Sequence, residues 1–404
     1  MKIFVVEPLG HGGLIHYSFH MCKGLRKNGA DVTLVTSTEW ELAGIERDFE
    51  VANILHLWNA REKSPYKGIR RKLERVERGF KWVREWFHLL RFLKQEKPDV
   101  VLFGEIRFGF EYYFLKRMRK ASYLTADIVH DVQTYDTSQA SDQIIQESES
   151  SRKTYERIYQ QFDALFVHDR TNYDLFLKLF KIPKKRVHEI PHGANELMLN
   201  LPQTRSAAQI RRDLNIEADV PCVLFFGTVA KYKGIFDLLE AFPAVYKGSA
   251  AHLIVAGYPA KDIKAEELTQ LAEELGIADQ VHWWLDYVPN EDVVPLMEAG
   301  DVVVLPYRAI SQSGIIHIAN ACGRPVVATR VGGLQDVIED GKSGYLVEPE
   351  NIAALSEGLI AALADPQHSQ ALGRYARELA QTKYSWENVA KLVIQALEGT
   401  EKHG

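Results

Sequence analysis

Ser311, Gln312, Ser313 and Gly314 lie between a stretch of buried-strand character, Asp301–Leu305, and a short helical stretch, Gly314–Ala321. A helix that opens on Ser-Gly turns free backbone N–H groups and the positive end of its dipole toward whatever sits beside the strand end. That is a cradle for phosphate, with Ser313, Gly314 and Ile315 supplying the N–H groups. A second candidate is the loop Gly227-Thr228-Val229-Ala230-Lys231-Tyr232-Lys233-Gly234, which follows the strand-like run Cys222–Phe226. Ligands of parallel α/β sheets gather at such carboxyl ends of strands. A lysine there can act as a point charge against a departing diphosphate. Lys233 fits that role; Lys231 fits it too, or is a solvated surface lysine. A third is Gly12-Gly13, between the strand Ile3–Val6 and a helix over about Leu14–Asn28. Glycines without Cβ let backbone N–H groups approach phosphates closely, although the pair also reads as a plain tight turn.

Several other patterns fail on chemistry. The first glycine loop lacks Gly-x-Gly-x-x-Gly spacing, and Val35-Thr36-Ser37 ends the second strand with no acid placed for a ribose, which excludes a dinucleotide fingerprint. Gly341-Lys342-Ser343 would need a glycine where Asp336 stands, so it is not a P-loop. His16 and His20 share a helix face, but no Glu follows His16 and no third ligand is placed nearby, so no metal site is expected. His16, one turn past Gly13, can instead face the cleft.

These loops need rigid elements to hold them. Val/Ile/Leu-rich strands recur at Ile3–Val6, Asp31–Thr36, Asp99–Phe103, Asp127–Val129, Ala164–Val167 and Val187–Ile190. A second series runs through Cys222–Phe226, His252–Ala256, Val281–Trp284, Asp301–Leu305, Pro325–Ala328 and Tyr345–Val347, with helical patterns between. Such alternation predicts an α/β chain with two parallel sheets, each in its own Rossmann-like domain, and a cleft between them. A chain of 404 residues also calls for two cores. The expected division is 1–197, 198–384 and a terminal helical segment 385–404, with the boundary in the turn-rich stretch Pro191–Pro202. Cys22, Cys222 and Cys322 sit far apart in apolar contexts, which predicts reduced thiols and a cytoplasmic protein without a signal peptide.

The same residues resemble the nucleotide-sugar glycosyltransferases of the GT-B fold, family 4. The phosphate-cradling turn looks like that family's donor-sugar loop, and Lys233 matches the lysine of its Gly-Arg…Lys-Gly loop. The arginine position holds Thr228, and Lys231 is the candidate substitute. Val129-His130-Asp131 resembles the family's Val-His-Asp, which places His130 beside the reacting sugar as a hydrogen-bond donor. Gly12-Gly13 resembles the loop that meets the diphosphate from the N-terminal side. His192, in Ile190-Pro191-His192-Gly193, resembles a structural hinge motif. The family's paired glutamates are replaced: Ile310 and Ile318 stand at those positions, with Ser311, Gln312 and Ser313 as polar replacements and His317 as an alternative for the second. Asp336 stands where Val331-Gly332-Gly333 would lead to a Glu.

What the resemblance implies is a retaining transfer of a sugar from a nucleotide-diphosphate sugar to a hydroxyl acceptor, without a metal or other cofactor. The acceptor would be a sugar, a lipid-linked or other hydroxyl compound, in polysaccharide, glycolipid or glycoconjugate synthesis. An epimerase or phosphorylase on the same fold, or a non-catalytic partner subunit, is the alternative.

Charge is uneven along the chain. Residues 1–200 carry 32 Lys+Arg against 27 Asp+Glu, and the rest 17 against 27. Residues 61–97 hold thirteen Lys+Arg and five Glu. There Ile69, Leu73, Val76, Phe80, Val83, Phe87 and Leu90 form one helical stripe, widened by Trp82, Trp86, Leu89 and Leu93. The stripe is expected to pack on the N-terminal sheet, and the excess cations to offer an anionic membrane surface a peripheral contact on the cytoplasmic face. Nucleic acid is not expected, because the acidic second half opposes a backbone-tracking groove.

Overall fold

The structure, a computed structural model, describes residues 1–58, 66, 68–132, 148–194 and 197–402. The turn residue Asn195 and residues 61–65 and 67 of the basic segment lie outside the described residues. The strands are β1 (Lys2–Val6), β2 (Asp31–Ser37), β3 (Glu50–Leu55), β4 (Val100–Phe103), β5 (Leu124–Val129), β6 (Ala164–His168) and β7 (Val187–Ile190). They form one parallel sheet in the order β3-β2-β1-β4-β5-β6-β7. The second sheet holds β8 (Cys222–Phe226), β9 (His252–Ala256), β10 (Val281–Trp284), β11 (Val302–Leu305), β12 (Val326–Thr329) and β13 (Gly344–Val347). Its order is β10-β9-β8-β11-β12-β13, again all parallel.

Both sheets are covered on two faces, as their unbroken apolar strands require. Ile3, Val5, Val32, Leu34 and Leu102 face one N-terminal core, while Phe4, Val6, Val101 and Phe103 face the other. The second sheet divides in the same way, Leu224 and Ile254 against Val223 and Val255. Strand β3 was not expected. Its sequence Glu-Val-Ala-Asn-Ile-Leu is only partly buried at the sheet edge, so it lacks the apolar run that marks a central strand.

The last helix, Trp386–Glu398, packs in the N-terminal core through Trp386, Val389, Ala390 and Val393. Its partner is the first helix, Gly13–Lys27. The two approach closely because Gly24 has no side chain: a Cβ there would collide with the Trp386 carbonyl and the Ala390 methyl. The Trp386 indole N–H donates to the Ala194 carbonyl, so the same residue also ties down the connection between the sheets.

The basic helix, Gly68–Glu96, overturns the expected packing of its stripe. Trp82, Trp86, Leu89 and Leu93 are the side that packs against the sheet. Both indole N–H groups donate to one buried oxygen, Oε1 of Glu111, at 2.8 and 2.9 Å, and this fixes the helix's rotation. Ile69, Leu73, Val76, Phe80 and Phe87 consequently face solvent, Ile69 at 77% and Phe80 at 73% exposure. Among the described residues, no helix is long and apolar enough to cross a membrane.

Gly24→Val should destabilise the protein by ~1–3 kcal/mol, through overpacking of the two helices. The result expected in calorimetry is a lower Tm; an unchanged Tm would show that the last helix is not held there.

Candidate active site

The carboxyl ends of both sheets face one cleft of about 580 Å³. Gly12, Gly13, Leu14 and His16 line it from the first domain, and Lys233, Gln312, Ser313, Gly314 and Ile315 from the second. The phosphate-type turn therefore opens toward the cleft. Ser313 precedes the helix Gly314–Ala321 in extended conformation, its hydroxyl caps no N–H group, and open space surrounds Gly314. The N–H groups of that first turn stay available to a ligand.

Lys233 is 9% exposed, and burial lowers its pKa from the ordinary lysine value. Its Nζ lies 5.4 Å from the centre of the Tyr307 ring, and no carboxylate pairs with it among the described residues. The loop that presents it depends on Gly234, at φ 71°, where a Cβ would strike the Pro306 carbonyl. Lys231 points elsewhere. It is not among the residues lining the cleft, its N–H donates to Asp262, and its ammonium rests over Phe236. Arg308 is also committed, in a two-pronged pair with Asp237 at 2.6 and 2.9 Å.

Two acids at the first glycine loop had no signal in the sequence. Glu7 accepts from the N–H groups of Leu9 and Gly10, and burial raises its pKa to about 7. Glu41 accepts from the Gly12 N–H at 3.0 Å and lies 3.3 Å from His16 Nε2. A diphosphate reaching the Gly12 N–H must displace that carboxylate, and a Cβ at either Gly12 or Gly13 would meet nothing nearby.

His130 closes the floor of the cleft. Burial, then His192, lowers its pKa to about 3, so it is a neutral imidazole. Its Nδ1 lies 3.4 Å from His168 Nε2, and its buried Nε2 has no partner among the described residues. His168, His192 and His317 extend the cluster, the last two stacked at 4.7 Å. His168 and His192 stand at or just past the ends of neighbouring strands, and the helix Gly314–Ala321 brings His317 to them from the second domain.

Ser311 and Gln312 serve partly as ties between the domains. The Asn172 side-chain amide donates to the Ser311 carbonyl at 2.8 Å, and the Gln312 amide donates to Asp169. Ser311 itself is buried and is not among the lining residues. Asp336 accepts from the Thr171 N–H at 2.9 Å, across the domains at the start of the helix Arg170–Leu179. Ile310 and Ile318 do line the cleft, as apolar wall where the paired glutamates would stand.

Sequence comparison agrees with this geometry. The family model described as Glycosyltransferase Family 4 matches residues 11–196, and the model described as Glycosyl transferases group 1 matches residues 206–379. The chain belongs to family 4 of the glycosyltransferases. A D-inositol 3-phosphate glycosyltransferase of Corynebacterium urealyticum is 32% identical over 62% of this chain and 59% of its own length. The Corynebacterium glutamicum protein of the same name is 24% identical over 94% of this chain and 90% of its own. Among solved structures, sucrose-phosphate synthase from Thermosynechococcus elongatus superposes with a TM-score of 0.72 over 98% of both chains, at 21% identity. Anabaena HepE in complex with UDP and glucose gives 0.70 at 17% identity, over 99% of this chain and 100% of its own. At such identities the likeness concerns the fold, and that fold is GT-B.

Asp169 makes the domain tie pH-dependent. Burial first, then repulsion from Asp336, raises its pKa from 3.8 to about 8. A carboxyl raised in the folded state contributes stability that is complete at low pH and is lost as pH rises through about 8. Between pH 5 and 9 the wild type should lose more Tm than Asp169→Asn, which keeps the helix cap without the charge. Equal losses in both proteins would contradict this.

Proposed function

We propose that this glycosyltransferase moves a sugar from a nucleotide-diphosphate sugar to a hydroxyl acceptor with retention of configuration. The observation that carries the reading is Lys233, a buried cation without a carboxylate partner among the described residues, facing the same cleft as the free helix start at Ser313–Ile315. A buried charge needs a counter-charge. A diphosphate supplies one, and the lysine and N–H groups stabilise it further as it departs. Gly13 would approach the same group from the opposite domain.

His130 and Asp131 line both this cleft and a second cavity on the N-terminal side. An acceptor hydroxyl entering there reaches the donor at His130, whose neutral ring suits a hydrogen bond to a sugar hydroxyl. The bond from the anomeric carbon to the phosphate oxygen breaks, and the acceptor oxygen bonds on the same face. The acceptor proton leaves with the diphosphate. Because lysine and backbone dipoles carry the charge, the reaction needs no metal in this reading. The name of the corynebacterial relatives makes a cyclitol phosphate one acceptor to test.

The exposed stripe Ile69, Leu73, Val76, Phe80 and Phe87, flanked by Arg70, Arg71, Lys72 and Arg75, supports peripheral binding to an anionic membrane. Each cation near the surface adds ~1 kcal/mol, and the apolar side chains insert between lipid headgroups.

Lys233→Ala should lower transfer by ~100-fold or more, followed as nucleoside diphosphate released from a panel of donors with and without acceptor. NMR of the product should show the donor's anomeric configuration and EDTA should leave the rate unchanged. Full activity in the variant, or an inverted product, would refute the proposed mechanism. Phe80→Ser with Leu73→Ser should remove the protein from sedimented vesicles containing anionic lipid; undiminished co-sedimentation would overturn the membrane contact.

A further inference from the structure

The N-terminal cavity has a volume of about 520 Å³ and meets the cleft at Leu14, His130 and Asp131. That is room for a monosaccharide-sized group. Its polar lining is acidic. Glu105, Asp127 and Asp131 contribute carboxyl groups, and among the described lining residues Arg107 is the one cationic side chain. Arg107 is already spent, because its guanidinium pairs with Glu105. Asp127 is 3% exposed, and its Oδ1 has no hydrogen-bond partner among the described residues. Two further acids stand behind this wall, Glu7 and Glu111, each already satisfied by backbone N–H groups.

We propose that the acceptor bound in this cavity carries no phosphate and is a polyhydroxyl compound bearing a protonated amine, of the amino-sugar class. This rests on the transferase reading given above. Carboxyl groups accept hydrogen bonds from ring hydroxyls, and an ammonium group balances their charge. A phosphate at the same place finds no free cation among the described lining residues and adds two negative charges to a wall that is already negative. The carboxyls themselves report the imbalance. Burial raises the pKa of Glu105 and Asp127, and neighbouring carboxyls add to the rise.

Three probes of one shape separate the outcomes: glucosamine, glucose and glucose 6-phosphate, titrated at pH 7 into the full chain and followed by NMR. Nucleoside diphosphates, UDP and GDP, are titrated into the same protein first. The expected order is glucosamine, then glucose, then glucose 6-phosphate, with at least tenfold between first and last. Asp131→Asn, at an exposed position on the cavity wall, should narrow that ratio severalfold. Glucose 6-phosphate binding as tightly as glucosamine, no binding by any probe, or an unchanged ratio in Asp131→Asn would each overturn the inference. If a nucleotide binds and the sugar phosphate is preferred, the acceptor inference alone fails. If neither nucleotide binds, the nucleotide-sugar donor reading fails with it.

Discussion

A lysine that is nine-tenths buried must find negative charge, and at Lys233 the fold provides none of its own among the described residues. Around that need the cleft is organised. Parallel sheets place their strand ends on one side, helices begin there with unpaired N–H groups, and each domain contributes a loop. Gly234, packed against the Pro306 carbonyl, keeps the lysine's loop within reach of the helix start at Ser313. Positive charge is thus preorganised in a partly dry groove, where it acts more strongly than in water.

The two domains differ in the charge they offer. The second presents lysine and helix dipole, suited to an anionic donor. The first presents Glu7, Glu41, Glu105, Asp127 and Asp131 around a ring of neutral histidines. His130 stands at their junction, and its lowered pKa follows from burial first and then from the neighbouring His192. Ties through Asp169, Asn172 and Asp336 hold the donor loop against the first domain, so the geometry of the cleft depends on contacts outside it.

Both sheets were legible in the sequence because central parallel strands are continuous runs of Val, Ile and Leu. The edge strand Glu50–Leu55 was not, since Glu50 and Asn53 break its apolar run and the strand is only partly buried at the sheet edge. On the helix Gly68–Glu96, periodicity found the apolar side chains but misassigned the buried face. Heptad spacing alone does not reveal that Glu111 captures Trp82 and Trp86. At the site, Lys233 and the Ser-Gly turn could be read from local sequence, because their chemistry resides in consecutive residues. Glu41, His168 and the cross-domain use of Asp336 could not, because each acquires its role from residues distant in the chain. Lys231, read as a second phosphate ligand or a solvated surface lysine, is turned away from the cleft by the short turn that separates it from Lys233.

The position of a bound diphosphate decides whether Lys233 and the helix start at Ser313–Ile315 form one site. A crystal structure of the protein with a bound nucleoside diphosphate measures this directly. The phosphates should lie within hydrogen-bond distance of Lys233 Nζ and of the N–H groups at Ser313–Ile315. A diphosphate bound away from both, or held by neither domain's cleft-facing loop, would contradict it.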